Sequence, residues 1–287
     1  MTTETLHPAL DSLVPSPELG ARYVNRLVGG YPEFDTYKAA LASGHNVLVH
    51  GPTGSGKTFS FKAFAANQGL PFYSIVLSGD MDFGTILGQW VPDETGGLVW
   101  VDGVLATVIR EGRGVVLFDE LNFGSERNLS RFYSLWDDRR EVVMKEHHGE
   151  VLRVPEGSPV LFGGAFNPGY RGGRELSQAL PNRFAFKMEF DYDPEVEAQL
   201  VPSRSLIEAA DKLRANKRAI KTPVSTNMQV EFCEIAMAFD VDYAMLNWSM
   251  AFPESERASV AQVMDLHQDR IETEIAAAAA LLDQEGR

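Results

Sequence analysis

The sequence predicts an α/β protein: a parallel sheet flanked by helices, followed by a smaller and mostly helical second part. Three observations predict it. Up to about residue 190, short β-branched runs alternate with helical patterns and many glycines. Beyond that point the pattern is helical, broken by one polar, basic stretch from Lys212 to Lys221. At 287 residues the chain reaches the size, roughly 250–300 residues, at which a single hydrophobic core stops growing. The expected organisation is an N-terminal extension at 1–20, an α/β core at 21–195 and a helical part at 196–287, with the change falling near 192–203.

Composition narrows the function classes. With 44% hydrophobic and 23% charged residues, the chain is neither disordered nor fibrous in character. The formal net charge is −14, which argues against broad phosphate-backbone binding, since that needs clustered cations. Residues 1–190 hold 17 basic and 22 acidic side chains, whereas residues 191–287 hold 9 and 18. No run of 18 apolar residues is present, so no membrane insertion is expected. The acidic Met1–Thr5 lacks an apolar signal core, and the single cysteine, Cys233, reads as a small buried hydrophobe. A cytoplasmic location is the expectation.

In chain order, Tyr23 and Val24 precede the first sheet strand and are candidates to touch a nucleotide base. Residues 46–50, Asn-Val-Leu-Val-His, read as a short buried strand, and Gly51-Pro52-Thr53-Gly54-Ser55-Gly56-Lys57-Thr58 follows before a helix-compatible stretch through Ala65. This is G-x-x-x-x-G-K-[ST] in its strand–loop–helix setting. The glycines let successive N–H groups converge on phosphate oxygens at a helix N-terminus. Lys57 would reach the β- and γ-phosphates and the Thr58 hydroxyl would bind Mg²⁺. Residues 89–101 read as a hairpin around Pro92–Gly97, with Trp90 and Trp100 either gripping a partner chain or pinning the hairpin down.

Val115–Phe118 is a fully apolar run suited to a buried parallel strand, and it ends in Asp119-Glu120. Asp119 would complete the Mg²⁺ shell, and Glu120 would polarise an attacking water, which implies hydrolysis. A second hairpin at 141–154 brackets Glu146-His147-His148-Gly149-Glu150, where two adjacent histidines without further ligands suggest a solvated tip rather than a metal site. The strand 159–166 ends at Asn167, where the nucleotide of an open α/β sheet binds, so Asn167 would orient the water near the γ-phosphate. The basic run Lys212, Arg214, Lys217, Arg218, Lys221 reads as a solvated helix face. Val260, Val263, Met264, His267, Ile271, Ile275, Ala278 and Leu282 fall near helical spacing as one apolar stripe, and Ala276–Ala280 favour helix.

Together these residues resemble the AAA+ ATPases, and within them the MoxR/CbbQ-like group with an insert in the second helix. Asp119-Glu120-Leu121-Asn122 looks like that group's Walker B motif. Asn167-Pro-Gly-Tyr170, Glu175-Leu176, Ala179-Leu180 and Asn182-Arg183-Phe184 resemble its sensor 1 and arginine-finger segment. Gly88-Gln89-Trp90 through Trp100-Val101-Asp102-Gly103 looks like the insert hairpin. The resemblance is dense over about residues 20–190 and loose thereafter. It implies a P-loop core with a helical lid, ATP as substrate with Mg²⁺, and Arg183 as a finger reaching the γ-phosphate of a neighbouring subunit, with Arg171 and Arg174 as competitors. A residue supplied in trans needs a head-to-tail interface that closes into a ring, implying a hexamer. It also implies a client protein, often one carrying a von Willebrand A domain. One departure stands out: Ser225-Thr226 is followed by Asn227 where the group usually has a sensor 2 arginine, with Arg204, Arg214 or Arg218 as substitutes. The leading reading is an ATP-driven chaperone that remodels a partner protein. The alternatives are a nucleic-acid motor or restriction-type translocase, disfavoured by the charge, and a slowly hydrolysing, nucleotide-gated structural or regulatory ring.

Overall fold

Five parallel strands carry the first part of the chain: β1 (Val47–His50), β2 (Phe72–Val76), β3 (Gly114–Asp119), β4 (Val160–Phe166) and β5 (Phe186–Glu189). They pair in the order β5-β1-β4-β3-β2. The computed structural model describes residues 10–169 and 172–285. The chain forms two units, one of Met1–Gly51 with Lys57–Phe190, the other of Pro52–Gly56 with Asp191–Arg287. The α/β class, the parallel sheet and the helical C-terminal region are those the sequence predicts.

Register follows from burial on both faces. Val47, Val49, Val115, Leu117, Leu161 and Ala165 pack against Phe61 and Phe64 of the helix Lys57–Gln68 (α2), which follows the helix Glu33–Ser43 (α1). Leu48, Val116, Phe118, Val160 and Phe162 face the other way, onto Leu105 and Ile109 of Val104–Glu111 (α3) and onto Trp136. Alternate residues thus serve opposite cores, as period-two geometry requires. In β4 two glycines allow unusually close packing: a Cβ at Gly163 would lie 2.3 Å from Phe61, and one at Gly164 would lie 2.7 Å from Leu121. The Tyr37 hydroxyl, 2.6 Å from Ser60 Oγ, ties α1 to α2.

Two antiparallel hairpins, Gly88–Pro92 with Leu98–Asp102 and Glu141–Met144 with Glu150–Arg153, belong to the first unit. Trp90 and Trp100 are cross-strand partners. The turn is solvated as expected at Lys145, Glu146, His148 and Gly149, but its rings also meet the tryptophans: the half-buried His147 stacks on Trp100 at 4.4 Å and 9°, and Trp90 meets both His147 and His148 edge-on at 5.5 Å. Flat indole faces are large apolar surfaces, and the imidazole rings cover them. The Trp90 indole N–H donates to the Glu146 carbonyl at 3.0 Å, and Arg110 bridges Asp102 and Glu150. The tryptophans pin one hairpin to the other.

The second unit holds Pro194–Leu200 (α4), Arg204–Ala215 (α5), Thr226–Ala238 (α6), Val241–Met250 (α7), Glu254–Asp265 (α8) and Gln268–Glu285 (α9). Its core gathers Leu206, Leu213, Phe232, Trp248, Phe252, Val260, Met264, Ile271 and Ile275. Side-chain caps start α4 to α7, from Asp193, Ser203, Ser225 and Asp240. Two expectations are corrected here. The basic run is not one solvated helix face, because α5 ends at Ala215 and Arg214 is drawn inward by Glu197. The C-terminal stripe is not one helix either. The chain steps between α8 and α9 at Leu266-His267, placing His267 in the interior beside Lys212 and Arg270 while Leu282 stays exposed. Burial and those two cations hold the His267 pKa below its usual value. Cys233 is buried as expected, and burial pushes its thiol up to about 12.

Candidate functional site

Parallel pairing brings three polar strand ends together. In β4, Phe166 is level with His50 of β1 and Gly164 with Phe118 of β3. The residues that follow, Gly51, Asn167 and Asp119, therefore emerge at one edge of the sheet, the carboxyl edge where ligands of such sheets bind.

The loop 51–56 owes its path to residues without side chains. Gly51 sits at φ +155°, and a Cβ there would lie 1.9 Å from the Phe190 carbonyl oxygen. Gly54, at φ +67°, leaves no more room, since a Cβ would lie 2.4 Å from that of Ser225. Within the loop, the Ser55 hydroxyl donates to the Pro52 carbonyl at 2.9 Å, and the Thr53 carbonyl accepts from the Tyr192 hydroxyl. Gly56 closes the loop at φ +88°, one residue before α2 begins.

Lys57 opens α2 and is only 7% exposed. Its ammonium donates to the Gly51 carbonyl at 3.0 Å, turning the side chain back to the end of β1. Burial pushes its pKa down to about 8, with Asp119 working in the opposite direction. The Thr58 hydroxyl donates to Asp119 Oδ2 at 2.6 Å. A hydroxyl and a carboxylate, oxygen donors alone, suit a hard cation such as Mg²⁺, which takes one or two protein ligands plus phosphates and water.

Glu120 follows at φ +56°, a left-handed conformation that non-glycine residues seldom adopt. Its N–H donates to Asp119 Oδ1 at 2.9 Å, so the reversal at the strand end leaves Asp119 engaged from both sides and Glu120 exposed. Asn122, nearly buried, donates from its side chain to the Asn167 carbonyl at 3.3 Å, and its own carbonyl accepts from the Arg174 N–H at 2.7 Å. The Asn167 side-chain oxygen is buried without a hydrogen-bond partner among the described residues. A buried, unsatisfied amide oxygen is costly unless a ligand or water serves it.

The structure does not place Arg183 with these groups. Its Nη1 donates to the Ala179 carbonyl at 2.7 Å, and its guanidinium lies 4.2 Å from the Tyr133 ring centre. Among the described residues it forms no ion pair within 4.0 Å. Tyr170 and Arg171 lie outside the described residues. Tyr23 stacks on Phe34 at 5.3 Å and 6°, and Asn227 donates to Glu231 at 2.6 Å. No three His, Cys, Asp or Glu side chains gather into a metal-holding group among the described residues, His147 and His148 included. The sequence marks Ser225 only as part of the Ser225-Thr226 segment and gives no signal for Tyr192, which lies in no motif, yet these two residues touch the loop at Gly54 and Thr53.

Residues 46–184 match the family described as AAA domain (dynein-related subfamily). Protein NorQ of Paracoccus denitrificans is 30% identical over 210 residues, 69% of this chain and 76% of that protein. Denitrification regulatory protein NirQ of Stutzerimonas stutzeri is 31% identical over 62% of this chain and 63% of its own. Midasin of Dictyostelium discoideum is 38% identical over 54% of this chain but only 3% of its own length. The chain therefore spans less than two thirds of NirQ and a small fraction of midasin.

A pKa near 8 makes polyphosphate binding draw a proton onto Lys57 once the solution is more alkaline than that. Titration calorimetry with ATP, in buffers of different ionisation enthalpy, is expected to show proton uptake at pH 8.5, little at pH 6.5, and weakening affinity between. Absence of uptake at pH 8.5 would show that Lys57 is already fully charged.

Proposed function

From its membership of the MoxR/CbbQ-like group of AAA+ ATPases, shown by the match to NorQ across most of both chains, we propose that this protein hydrolyses ATP in a ring and uses the cycle to act on a partner protein. The observation that carries the chemistry is the Thr58–Asp119 contact at 2.6 Å, beside the Asn167 end of β4.

The N–H groups of 51–56 and the Lys57 ammonium receive the phosphates of ATP. Thr58 and Asp119 would hold Mg²⁺, which when bound neutralises phosphate charge and favours departure of ADP. Glu120, exposed and turned off the strand by its backbone, takes a proton from the attacking water. Asn167, whose amide oxygen has no partner among the described residues, orients that water, and Asn122 fixes the Asn167 backbone. The bond from the γ-phosphorus to its bridging oxygen breaks, and the water oxygen takes its place.

Arg183 is assigned to the neighbouring subunit's γ-phosphate. Fixed by Ala179 and Tyr133 and lacking an ion pair among the described residues, it keeps its charge available for another chain. A finger supplied in trans requires a closed head-to-tail ring, a hexamer in our reading. The partner is a separate protein, with a von Willebrand A domain as the first class to examine. The regulatory role in NirQ's name supports a partner-directed reading here. No described helix is long and apolar enough to cross a membrane.

Glu120→Gln is expected to retain ATP binding and to lower turnover by about 100-fold or more, the contribution of a general base. Unchanged turnover would remove Glu120 from that role. Arg183→Ala is expected to lose about 1,000-fold in turnover with near-normal nucleotide affinity. Mixing it with Lys57→Ala protein should restore measurable ATPase activity at mixed interfaces, and failure to do so would place the finger elsewhere.

A further inference from the structure

Thr53 lies in the second unit with its neighbours 52–56, and its carbonyl accepts a hydrogen bond from the Tyr192 hydroxyl at 2.9 Å. That carbonyl shares a rigid peptide plane with the N–H of Gly54. Whatever fixes the oxygen also fixes the direction of the Gly54 N–H, one of the donors a phosphate loop turns towards its ligand. Gly54 is simultaneously crowded by Ser225, whose hydroxyl caps α6 through the Met228 N–H.

Tyr192 is itself held from behind. The Arg214 guanidinium lies over its ring, 4.1 Å from the centre. Arg214 has little freedom: Nε donates to the Val224 carbonyl at 2.8 Å, and Nη1 and Nη2 reach the two Glu197 oxygens at 2.9 and 2.6 Å. Nη1 also meets Asp211 at 3.0 Å. Glu197 is fully buried and accepts further bonds from the Thr226 hydroxyl at 2.7 Å and the Gln229 amide at 2.8 Å. A buried carboxylate with this many donors and a bidentate arginine is a rigid anchor, and removing one partner would leave its charge uncompensated. Burial also pushes the Tyr192 phenol up to about 12, so it remains a donor throughout the working pH range.

We infer that Tyr192, braced by the Arg214–Glu197 pair, is a positioning residue that sets the Thr53–Gly54 peptide for phosphate binding, and that helices α4, α5 and α6 act on nucleotide affinity through it. The inference rests on the proposed ATPase reading. It also separates Arg214 from the rest of the basic run. With both Glu197 oxygens engaged, Arg214 acts on the loop through the Tyr192 ring. Asn227, bound to Glu231, takes no part in the anchor.

Tyr192→Phe removes the hydroxyl and keeps the ring under Arg214. It is expected to raise the KM for ATP, and the Kd for ATP measured in a Glu120→Gln background, by about 5- to 10-fold, the range of one lost hydrogen bond. The kcat at saturating ATP should stay within about twofold, and the melting temperature of the nucleotide-free protein should fall by no more than about 4 °C, the scale of one lost hydrogen bond. Hydrogen exchange at residues 53–56 should quicken. Arg214→Lys, which retains a charge for Glu197 but loses the fork and the stacking, should shift KM in the same direction. Wild-type KM, Kd and exchange in Tyr192→Phe would overturn the inference, as would a lowered melting temperature with unaltered KM, the signature of a merely structural role. A wild-type chain that neither binds nor hydrolyses ATP would sink the ATPase reading itself.

Discussion

Parallel pairing of β4 with both β1 and β3 is the constraint on which the site depends. Each strand is too short and too apolar to hold a ligand, and each ends in residues that cannot be buried. Register alone decides whether those ends meet. Val47–His50 against Gly163–Phe166, and Gly114–Phe118 against Val160–Gly164, bring Gly51, Asp119 and Asn167 to a common edge. The glycine pair at 163–164 permits this, because side chains there would meet Phe61 on one face and Leu121 on the other. The Thr58–Asp119 bond, between residues 61 apart in sequence, is the visible result.

Those parts of the site that are local in sequence were legible from it. The loop 51–58 is contiguous, its glycines answer to positive φ, and its flanks have the right periodicity. Asp119 and Asn167 are marked by the apolar runs they terminate, because a polar residue ending a buried strand must lie at the sheet's edge. The αL turn at Glu120 has no such marker, since the next residues, Leu121-Asn122, are compatible with continued helix or loop. Asn122 could be named only as part of a pattern; its bond to the Asn167 backbone needs the folded register.

What sequence could not show are partnerships between distant side chains. Periodicity reports which face a residue occupies and says nothing of what it meets there. Nothing in the polar, solvated turn at His147 signals that this ring stacks on Trp100, on the other hairpin. Arg214 sits in a basic run, and only the buried Glu197 explains why it turns inward. The step at Leu266-His267 divides what spacing reads as one stripe, because a helix continuing past α8 in the same direction would not return Ile271 and Ile275 to the core. In this acidic second unit, charge is therefore sorted: most of it stays at the surface, while Glu197 and Glu274 are drawn into hydrogen-bonded positions at helix starts.

In the proposed reading, the ends of β1, β4 and β3 form one phosphate and metal site. Its most direct test is the affinity for ATP with and without Mg²⁺, measured by titration on the wild type and on Thr58→Ala. Mg²⁺ is expected to strengthen ATP binding to the wild type, and this gain is expected to be largely lost in Thr58→Ala while metal-free binding through the loop and Lys57 persists. An equal Mg²⁺ effect in both proteins would contradict it.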